Sequence, residues 1–362
     1  NGSAVTWGGF DYGGDSSAVT TGLNNIESIV ATNRAFAAIK SDGSVVSWGH
    51  ANHGGDSSEV SATLTNVQSI TTSSRSVLPD GGAFAAVKSD GSVVSWGSDE
   101  YGGDSRSVSA NLTDVKSIVA TTDAFAALKA DGTVVTWGSD ISGGNGSLVN
   151  ANLTNVQSIV ATGGAFAAIK ADGTVVSWGN DYYGGDSSAV NASLTDVQSI
   201  VANNYAFAAI KTDGSVITWG NATYGGKSSS VSFALINVKS ITAGFATFAA
   251  LKEDGSVVSW GLSSLGGDSS SVRSQLTEVQ SITSTDKAFA AIRADGTVVT
   301  WGSATKGGDS SLVTAELIQV KSIEATPYAF AAIKTDGSVV TWGDGFYGGF
   351  SGNLTTADKL VN

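Results

Sequence analysis

Every tryptophan in this chain is followed by glycine, and the nine Trp-Gly pairs recur at a nearly constant spacing. Seven of the eight gaps between successive tryptophans are 41 residues, and the gap from Trp48 to Trp96 is 48. A fixed period of about 20–50 residues is the signature of a repeat architecture, in which similar units stack on one another. We therefore expect one repeat domain over residues 1–362, although the length alone would suggest two or three domains.

Each repeat contains three short runs of β-forming residues separated by turn residues. In one repeat we predict strand a at Val197–Ala202, strand b at Ala206–Lys211 and strand c at Ser215–Trp219. An Asp-Gly pair stands between strands b and c in all eight complete repeats, and this pair suits a tight hairpin turn. Turn chemistry explains these aspartates, so we assign them no catalytic role. No segment shows the sustained 3.6-residue apolar period of a helix.

Such short strands are not stable as isolated hairpins, so the repeats must bury their faces against one another. Sheets of three or four strands packed face to face around an axis achieve this in a β-propeller. On these strands Phe, Ile and Trp alternate with Ala and Ser, which predicts that small residues of one blade receive large residues of the next. A buried Trp removes about 150–250 Å² from water. We therefore interpret the tryptophans as core residues and not as ligand contacts.

The repeat pattern A-F-A-A-[IVL]-K-x-D-G-[ST]-V-[VI]-[ST]-W-G resembles that of the regulator-of-chromosome-condensation propellers. It is more similar still to the repeat of β-lactamase inhibitory protein II, and the opening residues 3–9 look like the first strand of that inhibitor. The resemblance implies a β-propeller whose blades carry three main strands and a long connection. Two departures stand out: Ala206-Phe207 replaces the usual His-Ser, and Gly184–Ser188 replaces the usual Gly-Gln-Leu-Gly. Nucleotide exchange and β-lactamase inhibition therefore do not carry over residue by residue.

The number of predicted strands does not decide how the ring of blades closes. Strand b occurs eight times and strand c nine times, because Trp7 has no strand b before it. The plainest expectation is an all-β propeller of about eight blades. A ninth, incomplete blade made from both chain ends, with the tail Asn353–Asn362, is an alternative, and closure between molecules is a third, because unpaired strand edges attract partners. The predicted b strands begin at Ala35, Ala83, Ala124, Ala165, Ala206, Thr247, Ala288 and Ala329.

Differences among the repeats concentrate in two sets of loops. In a meander, strands a and c run the same way, so the a–b loops and the loops after Trp-Gly leave the same face, opposite the Asp-Gly turns. The strands and turns stay nearly constant while these loops vary, and loops on a rigid scaffold commonly carry recognition. Drift of exposed loops, or a Tyr that covers the neighbouring Trp, would also explain the pattern. The candidate binding face comprises Phe10, Tyr12, Arg34, His53, Arg75, Tyr101, Tyr182, Tyr183, Tyr205, Tyr224, Phe245, Tyr328, Phe346 and Tyr347.

The amino-acid composition argues against several classes of partner and site. The net charge of −13 and the absence of a Lys/Arg cluster argue against nucleic acid, which requires a basic face. No stretch is long and apolar enough for membrane insertion. Without cysteine there is neither a disulfide framework nor a thiolate site. The Ser, Thr, Asn, Gly and Val content is typical of an extracellular or cell-surface bacterial repeat protein, and the missing initial Met suggests a segment of a longer protein.

Metal and cofactor chemistry finds little support in the sequence. Asp recurs in Gly-Gly-Asp-Ser-Ser and could bind Ca²⁺, but Asn145, Lys227 and Phe350 replace it in three repeats. His50 and His53 stand near Asp56, which is a thin basis for a transition-metal site. We therefore expect no cofactor and no enzymatic activity. The expected function is a binding module for a protein or a glycan, and the alternative is a structural spacer or filament subunit joined through the surplus terminal strand.

Overall fold

The computed structural model describes residues 2–74 and 81–349. Within them lie two compact units, Asn1–Ser187 and Ser188–Asn362, and each contains four three-stranded sheets. The expectation of a single domain over residues 1–362 stays a prediction. Among the described residues, no helix has the length and apolar character needed to cross a membrane.

The strands of both units follow the predicted order a, b, c. In the first unit they are β1 Ile26–Ala31, β2 Ala35–Lys40, β3 Val45–Gly49, β4 Val67–Ser74, β5 Gly82–Lys88, β6 Val93–Gly97, β7 Val115–Ala120, β8 Ala124–Lys129, β9 Val134–Gly138, β10 Val156–Ala161, β11 Ala165–Lys170 and β12 Val175–Gly179. In the second unit they are β13 Val197–Ala202, β14 Ala206–Lys211, β15 Val216–Gly220, β16 Val238–Ala243, β17 Thr247–Lys252, β18 Val257–Gly261, β19 Val279–Ser284, β20 Ala288–Arg293, β21 Val298–Gly302, β22 Val320–Ala325, β23 Ala329–Lys334 and β24 Val339–Gly343.

Each sheet is an antiparallel meander in which strand b lies between a and c. The Phe of strand b faces the Trp of strand c, as in Phe166 opposite Trp178. Strand a is irregular at its start, where the register shifts between Val156 and Ser158. Strands a and b of the predicted example are confirmed at their bounds, whereas strand c begins and ends one residue later, at Val216 and Gly220.

The connections between the described strands contain short helical turns, most of them of three residues, and no long helix occurs in residues 2–74 and 81–349. The 3-10 turns are Phe10–Tyr12, Ser17–Gly22, Ala51–His53, Asp99–Tyr101, Ser109–Asn111, Asp140–Ser142, Asn150–Asn152, Asp181–Tyr183, Asn191–Ser193, Ser232–Ala234, Ser263–Leu265, Ser270–Val272, Ala304–Lys306 and Gly345–Tyr347, and Ala222–Gly226 is a π turn.

The predicted ninth strand c, around Trp7, is wrong for the described residues. Residues 3–9 form no strand, and Trp7 is 84% exposed, whereas Trp48 is 5% exposed. The physical reason is that strand c needs strand b beside it for its ladder and for the Phe against which its Trp stacks. The tail Asn353–Asn362, offered for an incomplete ninth blade, lies outside the described residues. The described residues form eight three-stranded sheets, which confirms the expectation of about eight blades.

The core lies between successive sheets of each unit. In the first unit, Ala124 and Ala126 of β8 contact Phe166 of β11 and Trp178 of β12. These two alanines point to the same face of the sheet, because strand residues alternate between the two faces. Their small side chains leave space for the aromatic rings of the following sheet. This packing confirms the predicted fit of small against large residues.

The indole N–H fixes seven of the described sheets to the loop of the preceding repeat. Trp137 stacks on Phe125 with ring centroids 5.2 Å apart and donates its Nε1–H to the carbonyl oxygen of Gly102 at 3.0 Å. A buried indole N–H needs such an acceptor. The same bond is made by Trp48, Trp96, Trp178, Trp260, Trp301 and Trp342. These tryptophans are core residues, as predicted, and Trp7 is the exception.

Candidate binding face

The a–b loop and the loop after Trp-Gly meet at one end of every sheet. A backbone hydrogen bond joins them, from His50 N–H to the Arg34 carbonyl at 2.9 Å in the first sheet and from Asp344 N–H to the Tyr328 carbonyl at 2.9 Å in the last. The two loops are therefore one joined surface in each sheet, as the meander predicts. We call this end of the sheets the loop face.

A second bond fixes the residue five positions after each Trp, here called the anchored position. In the a–b loop, Thr162 donates its hydroxyl to the Tyr183 carbonyl at 2.9 Å, and the Asn203 amide donates to the Tyr224 carbonyl at 2.7 Å. The backbone is held in the same way in all eight sheets while the side chain changes. The anchored residues are His53, Tyr101, Ser142, Tyr183, Tyr224, Leu265, Lys306 and Tyr347.

In the second unit, the a–b loops are also bonded to one another. The N–H of Asn204 donates to the Phe245 carbonyl, that of Phe245 to Asp286, and that of Asp286 to Pro327, at 3.0–3.1 Å. Four successive repeats therefore share a continuous backbone rim. A side chain on this rim keeps a set position relative to its neighbours, which favours recognition by several loops at once.

Two aromatic groups stand on the rim. Tyr205 packs against Tyr224 at a centroid distance of 4.5 Å and against Phe245 at 5.4 Å. Three repeat-specific rings thus form one contiguous group, built from two a–b loops and one anchored position. Rigid aromatic side chains supply contact area at a low cost in conformational entropy.

The second aromatic group carries positive charge. Tyr328 contacts Tyr347 edge to face at 4.6 Å, and the Lys306 ammonium lies 4.6 Å from the Tyr328 ring centroid. Lys306 also forms an ion pair with Asp344, and this carboxylate raises the pKa of the lysine. Beside them Phe346 is 98% exposed. An ammonium over a Tyr ring is a favourable cation–π arrangement.

The structure removes two predicted residues from the surface. His53 is 1% exposed and Tyr101 is 9% exposed. Tyr101 is buried because the a–b residue beneath it is Gly81, where an added Cβ would lie 2.4 Å from the ring. These two side chains support the loops and do not offer a contact surface.

The remaining candidates of the first unit stay on the surface. Phe10 and Tyr12 are exposed, and the Arg34 guanidinium lies 5.1 Å from the Tyr12 centroid. Tyr182 is half exposed and contacts Tyr183 edge to face. Where a Tyr stands five positions after the Trp, its ring lies against the a–b loop of the same repeat, as Tyr101 does at Gly81 and Tyr183 at Gly164. Arg75 lies outside the described residues.

The Asp-Gly turns occupy the opposite end of each sheet and have a local structural role. Asp131 accepts hydrogen bonds from the Thr133 N–H at 2.9 Å and from its hydroxyl at 2.6 Å. The following Gly132 has φ of +78°, a conformation that favours glycine. All eight turns repeat the bond from backbone N–H to the aspartate, which confirms turn capping as their role.

These turns predict a loss of stability in acid. The Thr133 hydroxyl holds the pKa of Asp131 below its ordinary value, and six equivalent aspartates are shifted the same way by Ser or Thr. A depressed folded pKa contributes stability above the unfolded pKa, and this is lost as pH falls through the folded value. We expect the urea midpoint to fall between about pH 4 and pH 2, and Asp131→Asn to reduce that pH dependence. Asp140→Asn, outside the turns, is the control, and an equal effect of both changes would contradict the assignment.

The Asp of Gly-Gly-Asp-Ser-Ser has the same capping role. Asp56 accepts the Ser58 N–H at 2.9 Å, Asp268 accepts that of Ser270 at 2.9 Å, and Asn145 accepts that of Ser147 at 3.0 Å. An amide can replace the carboxylate here because only one acceptor oxygen is needed. Across residues 2–74 and 81–349, no three His, Cys, Asp or Glu side chains come together as a metal site. The calcium and cofactor expectations stay predictions.

Comparisons with known proteins agree with the architecture of the repeat. Residues 238–266 match the family described as the regulator of chromosome condensation (RCC1) repeat. No curated protein matches the chain.

Solved structures also align with the chain, at low sequence identity and low TM-score. Prp20p from Saccharomyces cerevisiae, studied for its binding to Gsp1p and histones, is 17% identical over 65% of this chain and 73% of its own, with a TM-score of 0.39. Yeast RCC1 (Prp20) bound to Kap60 is 18% identical over 66% and 72%, with a TM-score of 0.41. The computationally designed Ika8 protein is 14% identical over 94% and 99%, with a TM-score of 0.36. The resemblance to β-lactamase inhibitory protein II stays a prediction. The residues matched at 238–266 form one of the eight three-stranded sheets of the described residues, so this all-β chain of about eight blades resembles the RCC1-type repeat propellers.

Proposed function

We propose that this chain is a non-enzymatic binding module that recognises a protein through the loop face. The observation that carries the proposal is the anchored position, where hydrogen bonds hold one backbone site in eight sheets while its side chain varies. A fixed backbone with varied side chains is the arrangement by which rigid scaffolds present recognition residues. In the second unit the continuous rim adds two aromatic groups to this arrangement.

A protein partner is favoured because the exposed groups differ from repeat to repeat. One rim segment presents Tyr205, Tyr224 and Phe245, whereas another presents Tyr328, Tyr347 and Lys306. A glycan made of repeated sugars would be captured best by repeated similar sites. Dissimilar neighbouring groups suit one continuous epitope. An extracellular or bacterial cell-surface location belongs to this proposal and rests on composition alone.

The test compares partners bound by the wild-type chain and by loop-face variants. We expect Phe245→Ala/Phe346→Ala to weaken capture of a specific protein about tenfold or more, because buried aromatic anchors commonly contribute over 1 kcal/mol each. Thr212→Ala/Thr335→Ala, in two b–c turns at the end of the sheets opposite the loop face, is the control. A glycan array is run in parallel. The proposal would be overturned if the loop-face variant still captured the protein, or if the wild-type chain bound nothing in either the protein-capture assay or the glycan array.

A second candidate function, as a self-assembling structural subunit, is favoured by the N-terminal segment. Val5 is 78% exposed and Trp7 is 84% exposed, in a sequence that forms strand c in every other repeat. Exposed strand-forming edges attract a partner chain. Deleting residues 1–9 and measuring the mass in solution tests this role. A species that is monomeric both with and without the segment would eliminate it.

A further inference from the structure

The outer edge of strand c in the second sheet opens into a groove of about 950 Å³. Its floor is β6, and its walls are the loop after Trp48 and the loop after Trp96, all within the first unit. The volume is at the upper end of the range for sites that bind a ligand, about 300–1,000 Å³. The groove runs along strand c and shares two loops after Trp-Gly with the loop face, but no a–b loop of the described residues lines it.

The floor of this groove is an unpaired sheet edge. β6 pairs with β5 alone, and within the described residues its outward N–H and C=O groups bond to no other backbone group. Sheet edges commonly carry charged residues that discourage pairing, but Val93–Trp96 has none. Five residues at about 3.4 Å each give an edge about 17 Å long.

The groove also contains a buried hydroxyl group that makes no hydrogen bond. Ser95 is 7% exposed, lines the groove, and its Oγ makes no hydrogen bond. In the first sheet the equivalent Ser47 donates to Ser57 at 2.6 Å, and in the third Thr136 accepts the Gly146 N–H at 3.0 Å. Ser177, Ser259 and Thr341 are also unpaired, so the open hydroxyl recurs along these strand edges. The surrounding charge distinguishes the groove at β6.

The walls of the groove are acidic. They carry Asp56, Glu59, Asp99, Glu100 and Asp104, and the one cation, Arg106, is already paired with Asp104 at 2.7 Å. Asp104, with smaller contributions from Asp99 and Glu59, raises the pKa of Arg106. The smaller groove at the third sheet, about 440 Å³, has Asp140 and Lys129 in its lining and lacks this excess of negative charge.

We propose that the groove binds an extended, lysine- or arginine-rich segment of another polypeptide, which adds as a strand to the free edge of β6. Backbone hydrogen bonds to β6 give the strand its register. The alternate basic side chains reach the carboxylates on both walls, and Ser95 gains a partner. This site goes beyond the proposed function, because it uses a strand edge and a charge pattern that the aromatic rim does not share.

The test uses the acetylated and amidated peptide Lys-Val-Lys-Val-Lys-Val-Lys as the probe. Titration calorimetry gives its affinity, and hydrogen exchange follows the amides of residues 93–97, which we expect to be slowed. A peptide with alternate N-methylated residues cannot pair on one edge and is expected to lose binding. A Glu-Val peptide of the same length is expected not to bind.

Two matched pairs of substitutions distinguish the effect of the groove carboxylates from the effect of the net charge of the protein. Glu59→Lys/Glu100→Lys changes two exposed groove residues, and we expect the affinity to fall about tenfold, because each exposed pair contributes modestly. Glu253→Lys/Glu316→Lys makes the same change of net charge elsewhere and is expected to have a small effect. Equal loss in both variants, binding of the N-methylated peptide, or unprotected amides at 93–97 would overturn the proposal. Phe245→Ala/Phe346→Ala should leave peptide binding unchanged. The result at the groove can therefore be told apart from the result of the loop-face experiment.

Discussion

Replacing Trp137 by alanine is expected to lower the free energy of unfolding by about 3–5 kcal/mol, the range for truncating a buried aromatic residue. The indole is 3% exposed, stacks on Phe125, and donates to the Gly102 carbonyl at 3.0 Å. The change therefore opens a cavity and leaves an acceptor without its donor. Urea denaturation followed by circular dichroism measures the loss. Hydrogen exchange in β8 shows whether it is local, because repeat arrays can unfold in parts.

Trp7→Ala is the matched control, since Trp7 occupies the same position of the repeat. Its side chain is 84% exposed, so we expect a change within about 0.5 kcal/mol, as for other surface substitutions. A large loss of stability from Trp7→Ala would show that the segment at residues 3–9 packs in solution. A small loss from Trp137→Ala would contradict the inter-sheet core described above.

Gly102→Ala is expected to lower stability by several kcal/mol. Its φ of +91° is unfavourable for a residue with a Cβ, at roughly 1–2 kcal/mol. An added Cβ would also lie 2.6 Å from Cδ2 of the buried Phe125 ring, and overpacking of this kind adds about 1–3 kcal/mol. The expected sum is about 2–5 kcal/mol, measured as the shift in urea midpoint.

Gly348→Ala separates the two contributions. Gly348 has a nearly equal φ of +95°, but no atom of the described residues lies within 4 Å of an added Cβ. We expect the cost of the backbone conformation alone, about 1–2 kcal/mol. If both variants lost the same stability, the close approach of each loop to the next Phe ring would not contribute, and the packing between successive repeats would need another explanation.

Much of the local structure could be predicted because it depends on short-range chemistry. The Asp-Gly turns follow from the positive φ that glycine accepts and from an aspartate that caps the next N–H. A further regularity marks the start of strand a: the residue before it has positive φ in all eight described sheets and is Asn or Asp in six of them. These residues tolerate the left-handed region, which explains their recurrence there. Glu278 and Gln319 occupy the same left-handed conformation, although Glu and Gln do not favour it as Asn and Asp do.

The candidate binding face was predictable as a region but not residue by residue. Tyr101 and Tyr347 share the anchored position, yet the first is 9% exposed and the second 48%. The difference arises because Gly81 beneath Tyr101 leaves room for its ring, whereas Tyr347 meets another ring, that of Tyr328. Such pairings join residues about 20 positions apart, and no local pattern encodes them. The acidic groove at β6 is likewise made by two loops from different repeats.

The sequence by itself determined the repeat, its three strands, the turns between them and the end of each sheet at which the variable loops lie. These depend on residue periodicity and on backbone preferences within a few residues. Only the tertiary structure decided which tryptophans are buried. Trp7 and Trp137 stand in the same Val-Thr-Trp-Gly sequence, but Trp137 is 3% exposed and Trp7 is 84% exposed. The reason is physical: an indole is buried only where a strand b supplies a Phe to stack on and a preceding loop supplies a carbonyl to accept its N–H.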